Sequence, residues 1–134
     1  MLKKAVRWAL VALFLGCAER ERLTFPEAPS DGDETGPATR IDVPVAAETV
    51  IVSGDLFVVS GLTADPDGVD TVYIDVSGLN LAFPPLRGDG ADTVRFGVPF
   101  STASIPGTTV DVRVFGVDEL GNRGNSAERR LHIE

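Results

Sequence analysis

Carboxylates dominate the side chains of this sequence that could do chemistry. Asp65, Asp67 and Asp70 crowd around Pro66 and Gly68, and Asp118 with Glu119 comes just before Gly121 and Asn122. These are hard oxygen ligands of the kind that hold Ca²⁺, provided the fold brings the two segments together. The same Asp, Pro, Gly and Asn residues are also turn formers, each for its own backbone reason. No long ligand series of the EF-hand type is present. Acid–base and nucleophilic chemistry has little else to draw on. His132 is the sole His and falls among the outward residues of the last alternating run, which reads as a solvated surface position. Cys17 is the sole Cys, so no internal disulfide forms. These residue types point away from an enzyme.

Cys17 also ends a distinctive segment. Lys3, Lys4 and Arg7 make a basic head, residues 8–15 are apolar, and Gly16 precedes the cysteine. That is the layout of a signal peptide over 1–16. The apolar run is far shorter than the ~20 residues a membrane-spanning helix needs. The junction Phe14-Leu15-Gly16-Cys17 resembles the processing box of bacterial lipoproteins. The resemblance implies cleavage before Cys17, acylation of its thiol and stable anchoring by two or more acyl chains. Ordinary signal peptidase cleavage after Ala18 is the alternative, with Gly16 and Ala18 as its two small residues. Ala18 is not the Asp that retains some Gram-negative lipoproteins at the inner membrane. The expected location is therefore the cell envelope, lipid-anchored at the outer membrane and facing the periplasm or the exterior.

Charge narrows the partners. The whole chain carries a formal net charge of −8. Loss of the segment 1–16 leaves nine Arg, no Lys and twenty Asp and Glu, a net charge of about −11. So acidic a body repels phosphate backbones and anionic headgroups, which excludes nucleic acid and charge-driven membrane binding. Cations and basic partners are its natural complement.

The elements that must position any site begin after a tether. Residues 17–40 start with the lipidated cysteine, lack strand or helix periodicity and are rich in Glu, Asp, Pro, Gly, Ser and Thr, which predicts disorder. As a flexible coil such a tether reaches roughly 25 to 30 Å. From Ile41 onward short Val-, Ile- and Phe-rich runs close on turn residues at intervals near ten, the rhythm of an antiparallel β-sandwich. Ile41, Val43 and Val45 alternate with polar residues or Pro; Leu56, Val58 and Leu62 share a face; Val72, Ile74 and Val76 alternate with Thr71, Tyr73 and Asp75. Val94 to Phe100, Val110 to Val114, and Leu131 with Ile133 repeat the pattern. Pro44, Pro84, Pro85 and Pro99 cannot donate to a ladder and belong at edges or strand ends. Tyr73 and Phe115 lie opposite the apolar faces of their runs, where they could form an aromatic patch.

Residues 41–134 resemble the bacterial immunoglobulin-like domains, relatives in shape of fibronectin type III and cadherin modules. The resemblance rests on Asp65-Pro66-Asp67-Gly68-Val69 leading into Val72-Tyr73-Ile74-Asp75-Val76, then Pro106-Gly107 before Val110 to Val114, then Asp118-Glu119-Leu120-Gly121-Asn122. It implies a single immunoglobulin-like sandwich of about seven strands, without a disulfide. The loops bearing Asp65, Asp67, Asp70 and Asp118 would then emerge at one end and could hold Ca²⁺, as in cadherin-like modules. Arg87-Gly88-Asp89, between Pro84-Pro85 and Gly90, spells the integrin tripeptide on an expected exposed loop, from residue types that are abundant throughout. The function expected is a lipid-anchored, non-catalytic binding or assembly module for a protein or wall polymer. The alternatives are a Ca²⁺-stabilised adhesive module and an accessory subunit of an envelope enzyme or transporter.

Overall fold

The computed structural model describes residues 35–134, so the segment read as a signal peptide, Cys17 and most of the expected tether lie outside the described residues. Six strands follow one another: β1 (Ala38–Val43), β2 (Glu48–Ile51), β3 (Leu56–Ser77), β4 (Leu86–Ser101), β5 (Thr109–Asp118) and β6 (Arg123–Ile133). There is no helix among the described residues. The difference from seven strands lies in β3. Its segment Asp65-Pro66-Asp67-Gly68 has turn chemistry yet does not reverse the chain. Gly68 takes a φ of 99°, open to a residue without Cβ, and the ladder skips from Ala64 to Val69. The result is a corner of the kind strand switching requires. Residues 56–64 of β3 pair with β1 and β4, residues 69–77 pair with β5, and β4 follows β3 past the corner as far as Val72. The sandwich thus has one layer of β1, the first part of β3 and the last part of β4, and another of the rest of β3, the start of β4, β5, β6 and β2.

Between the layers sits the core. Ile41, Val59, Phe96, Val98 and Phe100 come from the first layer, and Val72, Val76, Val110, Val112, Val114, Leu131 and Ile133 from the second. The alternations in β4, β5 and β6 therefore face as their sequence pattern predicts. Leu56 and Val58 do not: they are exposed, and the core-facing set of this part of β3 is Phe57 and Val59, opposite Phe100 and Val98. Both faces of the run are apolar, so period two alone does not choose between them. Val43 and Val45 also fail to continue the face of Ile41, because the register of β1 shifts between Ile41 and Val43 and the strand ends there, leaving Val45 86% exposed.

β1 starts at Ala38, ahead of the Ile41 boundary, and Pro37 is already fully buried. Pro37 lies against Gly124, where any Cβ would collide with the Pro37 carbonyl. Side chains of β6 then stand in for the strand partner that β1 lacks on this side. Asn125 brackets Thr39, accepting from its backbone N and donating to its carbonyl, both at 2.8 Å. Arg129 donates through Nη2 to the Ile41 carbonyl and through Nε to that of Pro44, both at 2.7 Å. Beyond Pro44 the chain joins the second layer as β2, which runs parallel to β6, so one pair of this otherwise antiparallel sandwich departs from expectation.

Candidate functional site

The segments that carry the acidic residues lie next to one another. Val69 pairs with Asp118 and with Ala91, so the β3 corner, the bend of β4 and the β5–β6 turn are neighbours. The carboxylates of Asp65 and Asp118, however, serve their own backbones. Asp65 is buried and its Oδ1 accepts from Asp67 N at 2.8 Å. Asp70 Oδ2 accepts from the Thr71 hydroxyl at 2.8 Å. Asp118 is buried at the turn; Oδ1 accepts from Leu120 N at 2.9 Å and Asn122 N at 2.7 Å, and Oδ2 from Asn122 Nδ2 at 2.8 Å. Burial pushes the Asp118 carboxyl up, and the hydrogen bonds from Asn122, Leu120 and Gly121 outweigh it and hold the group below its ordinary value. Among the described residues no three His, Cys, Asp or Glu side chains are grouped to hold a metal ion.

The other sequence candidates separate. Arg87-Gly88-Asp89 does not project on a loop but runs within β4, with Gly88 buried against the Val69 carbonyl and Asp89 at a φ of 50°. The strand-like bend follows from pairing with β3, which the turn-rich composition hides. His132 shares a 3.2 Å hydrogen bond with the Thr109 hydroxyl on the neighbouring strand.

Tyr73 and Phe115 are brought together. They are register partners on β3 and β5, with ring centroids 5.1 Å apart and planes 18° from parallel. The Arg123 guanidinium lies 3.8 Å from the centroid of Phe115. One rung further along the same outward face, Asp75, Arg113 and Glu128 lie opposite one another on three strands, and Arg113 Nε bonds Glu128 at 2.7 Å. On the next rung Arg130 Nε bonds Asp111 at 2.7 Å, with Glu48 of β2 at 4.0 Å. The Arg130 hydrogen bond holds the Asp111 carboxyl below its ordinary value, against a smaller opposing effect of burial. A shallow hollow of about 180 Å³ opens between these rungs, lined by Asp75, Ser77, Asp111, Arg113, Glu128 and Arg130. The face offers aromatic surface and paired charge, which suits recognition.

Sequence reasoning found Tyr73 and Phe115 and missed the cations. The signal was available: Asp111, Arg113 and Phe115 alternate with buried Val residues, and folding the chain back at Gly121-Asn122 places Ser126, Glu128 and Arg130 beside them.

No protein-family model matches the sequence, and no curated protein matches it. Among solved structures the chain is similar to the fibronectin(III)-like modules of CbhA from Clostridium thermocellum. The identity there is 9% and the TM-score 0.44, over 72% of this chain and 96% of that one. It is also similar to an engineered protein at 15% identity and a TM-score of 0.44. That match covers 73% of this chain and 20% of the other.

Proposed function

We propose that this chain is a lipid-anchored protein of the bacterial cell envelope. Its sandwich is a non-catalytic binding or assembly module, and the outward face of the β3, β5, β6 and β2 layer is its docking surface for another protein or a wall polymer. The observation that carries the docking surface is the stack of Arg123, Phe115 and Tyr73. Buried aromatic rings contribute heavily to a core, and here two are spent on an outward face, where aromatics and Arg are the residues most often decisive for binding. The anchor rests on the basic head, the short apolar run and the Gly16-Cys17 junction, and the outer membrane on Ala18.

Two measurements test the reading. Cys17→Ser should remove the acyl chains, seen as intact mass, and shift the protein to the soluble fraction or stall its precursor. Affinity capture of the tagged full chain from its own envelope should recover a partner, and Tyr73→Ser with Phe115→Ser should reduce that recovery by about thirtyfold, as loss of a binding hot spot does. Unchanged recovery from the double variant would remove this face from the proposal.

A further inference from the structure

Two groups on the docking face are left open side by side on β3, beyond the last rung of its ladder with β4. The ladder between β3 and β4 ends at the pair Val72 and Leu86, so from Tyr73 to Ser77 β3 pairs with β5 alone. On the aromatic rung Phe115 is covered on both sides, by Arg123 and by Tyr73. Tyr73 is covered on one. Among the described residues no cation or ring lies over its other face, and the residue is 39% exposed. On the next rung Arg113 is taken by Glu128, which leaves Asp75, its register partner, without an ion pair among the described residues.

We infer that Tyr73 and Asp75 form a socket for an arginine side chain carried on an extended segment of a partner protein. The two residues lie two positions apart on one strand and point to the same side, so their side chains stand roughly 7 Å apart. That spacing lets a guanidinium lie over the ring while its edge donates to the carboxylate. The contact of Arg123 with Phe115 already displays the first half of this geometry within the chain. Arginine fits better than lysine, because a planar fork stacks and donates in two directions while an ammonium is a point charge. Charge agrees, since the chain carries a net −8 and the residue completing the rung Glu128, Arg113, Asp75 should be a cation. An anionic polymer or headgroup has no counterpart at this position. This socket rests on the docking face proposed above.

Tyr73 is the single tyrosine of the chain, so tyrosine carrying ¹³C in its ring reports on the socket alone. The probe is a capped pentapeptide of alternating Ser and Arg, titrated into the full chain in detergent micelles, beside its citrulline and lysine counterparts. The arginine peptide should move the Tyr73 ring signals saturably, the citrulline peptide should not, and the lysine peptide should bind more weakly. Asp75→Asn should weaken the arginine peptide about fivefold, the worth of an exposed charged contact. Asp42→Asn, on the other layer, should leave its binding unchanged. Unmoved ring signals, equal binding of the citrulline peptide, or equal weakening by Asp42→Asn and Asp75→Asn would each overturn the socket. If envelope capture still depends on Tyr73 and Phe115 in those cases, the docking face stands and the arginine assignment falls.

Discussion

The side-chain amide of Asn125 binds the backbone of Thr39 as a neighbouring strand would, with its oxygen on the Thr39 N–H and its nitrogen on the Thr39 carbonyl, each at 2.8 Å. The two residues are 86 positions apart, so this amide joins the first strand to the last. Asn125→Ala should leave both Thr39 groups without protein partners and lower stability by about 2 kcal/mol, two net hydrogen bonds' worth. In a domain of this size that lowers Tm by roughly 8 to 16 °C. Asn125→Asp should rescue only the N–H side and fall between. Thermal melts of the three proteins check the order.

Thr49 makes the opposite prediction. Its hydroxyl is buried and has no hydrogen-bond partner among the described residues. A hydroxyl in that state loses its water without recompense. Thr49→Val keeps the shape and removes the unmet group, so it should raise stability by about 1 kcal/mol and Tm by about 4 to 8 °C. A fall in Tm would mean that the hydroxyl is satisfied by water.

Asp118 and Asp111 both titrate below their ordinary values when folded. A carboxyl with a depressed folded value stabilises the fold at every pH above its unfolded value, about 4, and loses that contribution as pH falls through the folded one. Stability should therefore be level near neutrality and decline below about pH 4. Asp118→Asn should be less stable than the parent at pH 7 and should decline less on acidification. Denaturant melts at pH 7, 4 and 2.5 measure both effects, and parallel declines would refute the assignment.

Calcium should act weakly and without preference. Asp65 and Asp118 already accept hydrogen bonds from their own turns, and an ion would have to displace them. Ca²⁺ and Mg²⁺ should raise Tm equally and slightly by screening an acidic surface. A true site at a hundred times its Kd would add about 2.7 kcal/mol. A rise of that size with Ca²⁺ alone, abolished by Asp67→Asn, would establish a site.

Much of the fold is legible from the chain because strands buried on one face write their burial at period two: the alternation of Val110, Val112 and Val114 with polar residues points them at the core, and they are fully buried. The exceptions have physical causes. Leu56 and Val58 compete with Phe57 and Val59, and only pairing with β4 decides between them. Asp65 to Gly68 have the residues of a reversal, and only the ladders show that the chain turns a corner without reversing. The docking face was half legible. Aromatic residues opposite a buried run announce themselves, whereas Arg123 reaches Phe115 across a hairpin whose register must be known first.

The corner at Gly68 has one more consequence, for how the molecule comes apart. Because β3 and β4 run together through both layers, neither layer can be peeled away while the other keeps its strands, and the sandwich lacks the seam along which two stacked sheets would part. Heat or denaturant should meet one cooperative event. A break of the chain between Asp65 and Gly68 would not supply that seam, because β4 still pairs with β3 on both sides of the cut, so a single all-or-none unit should persist.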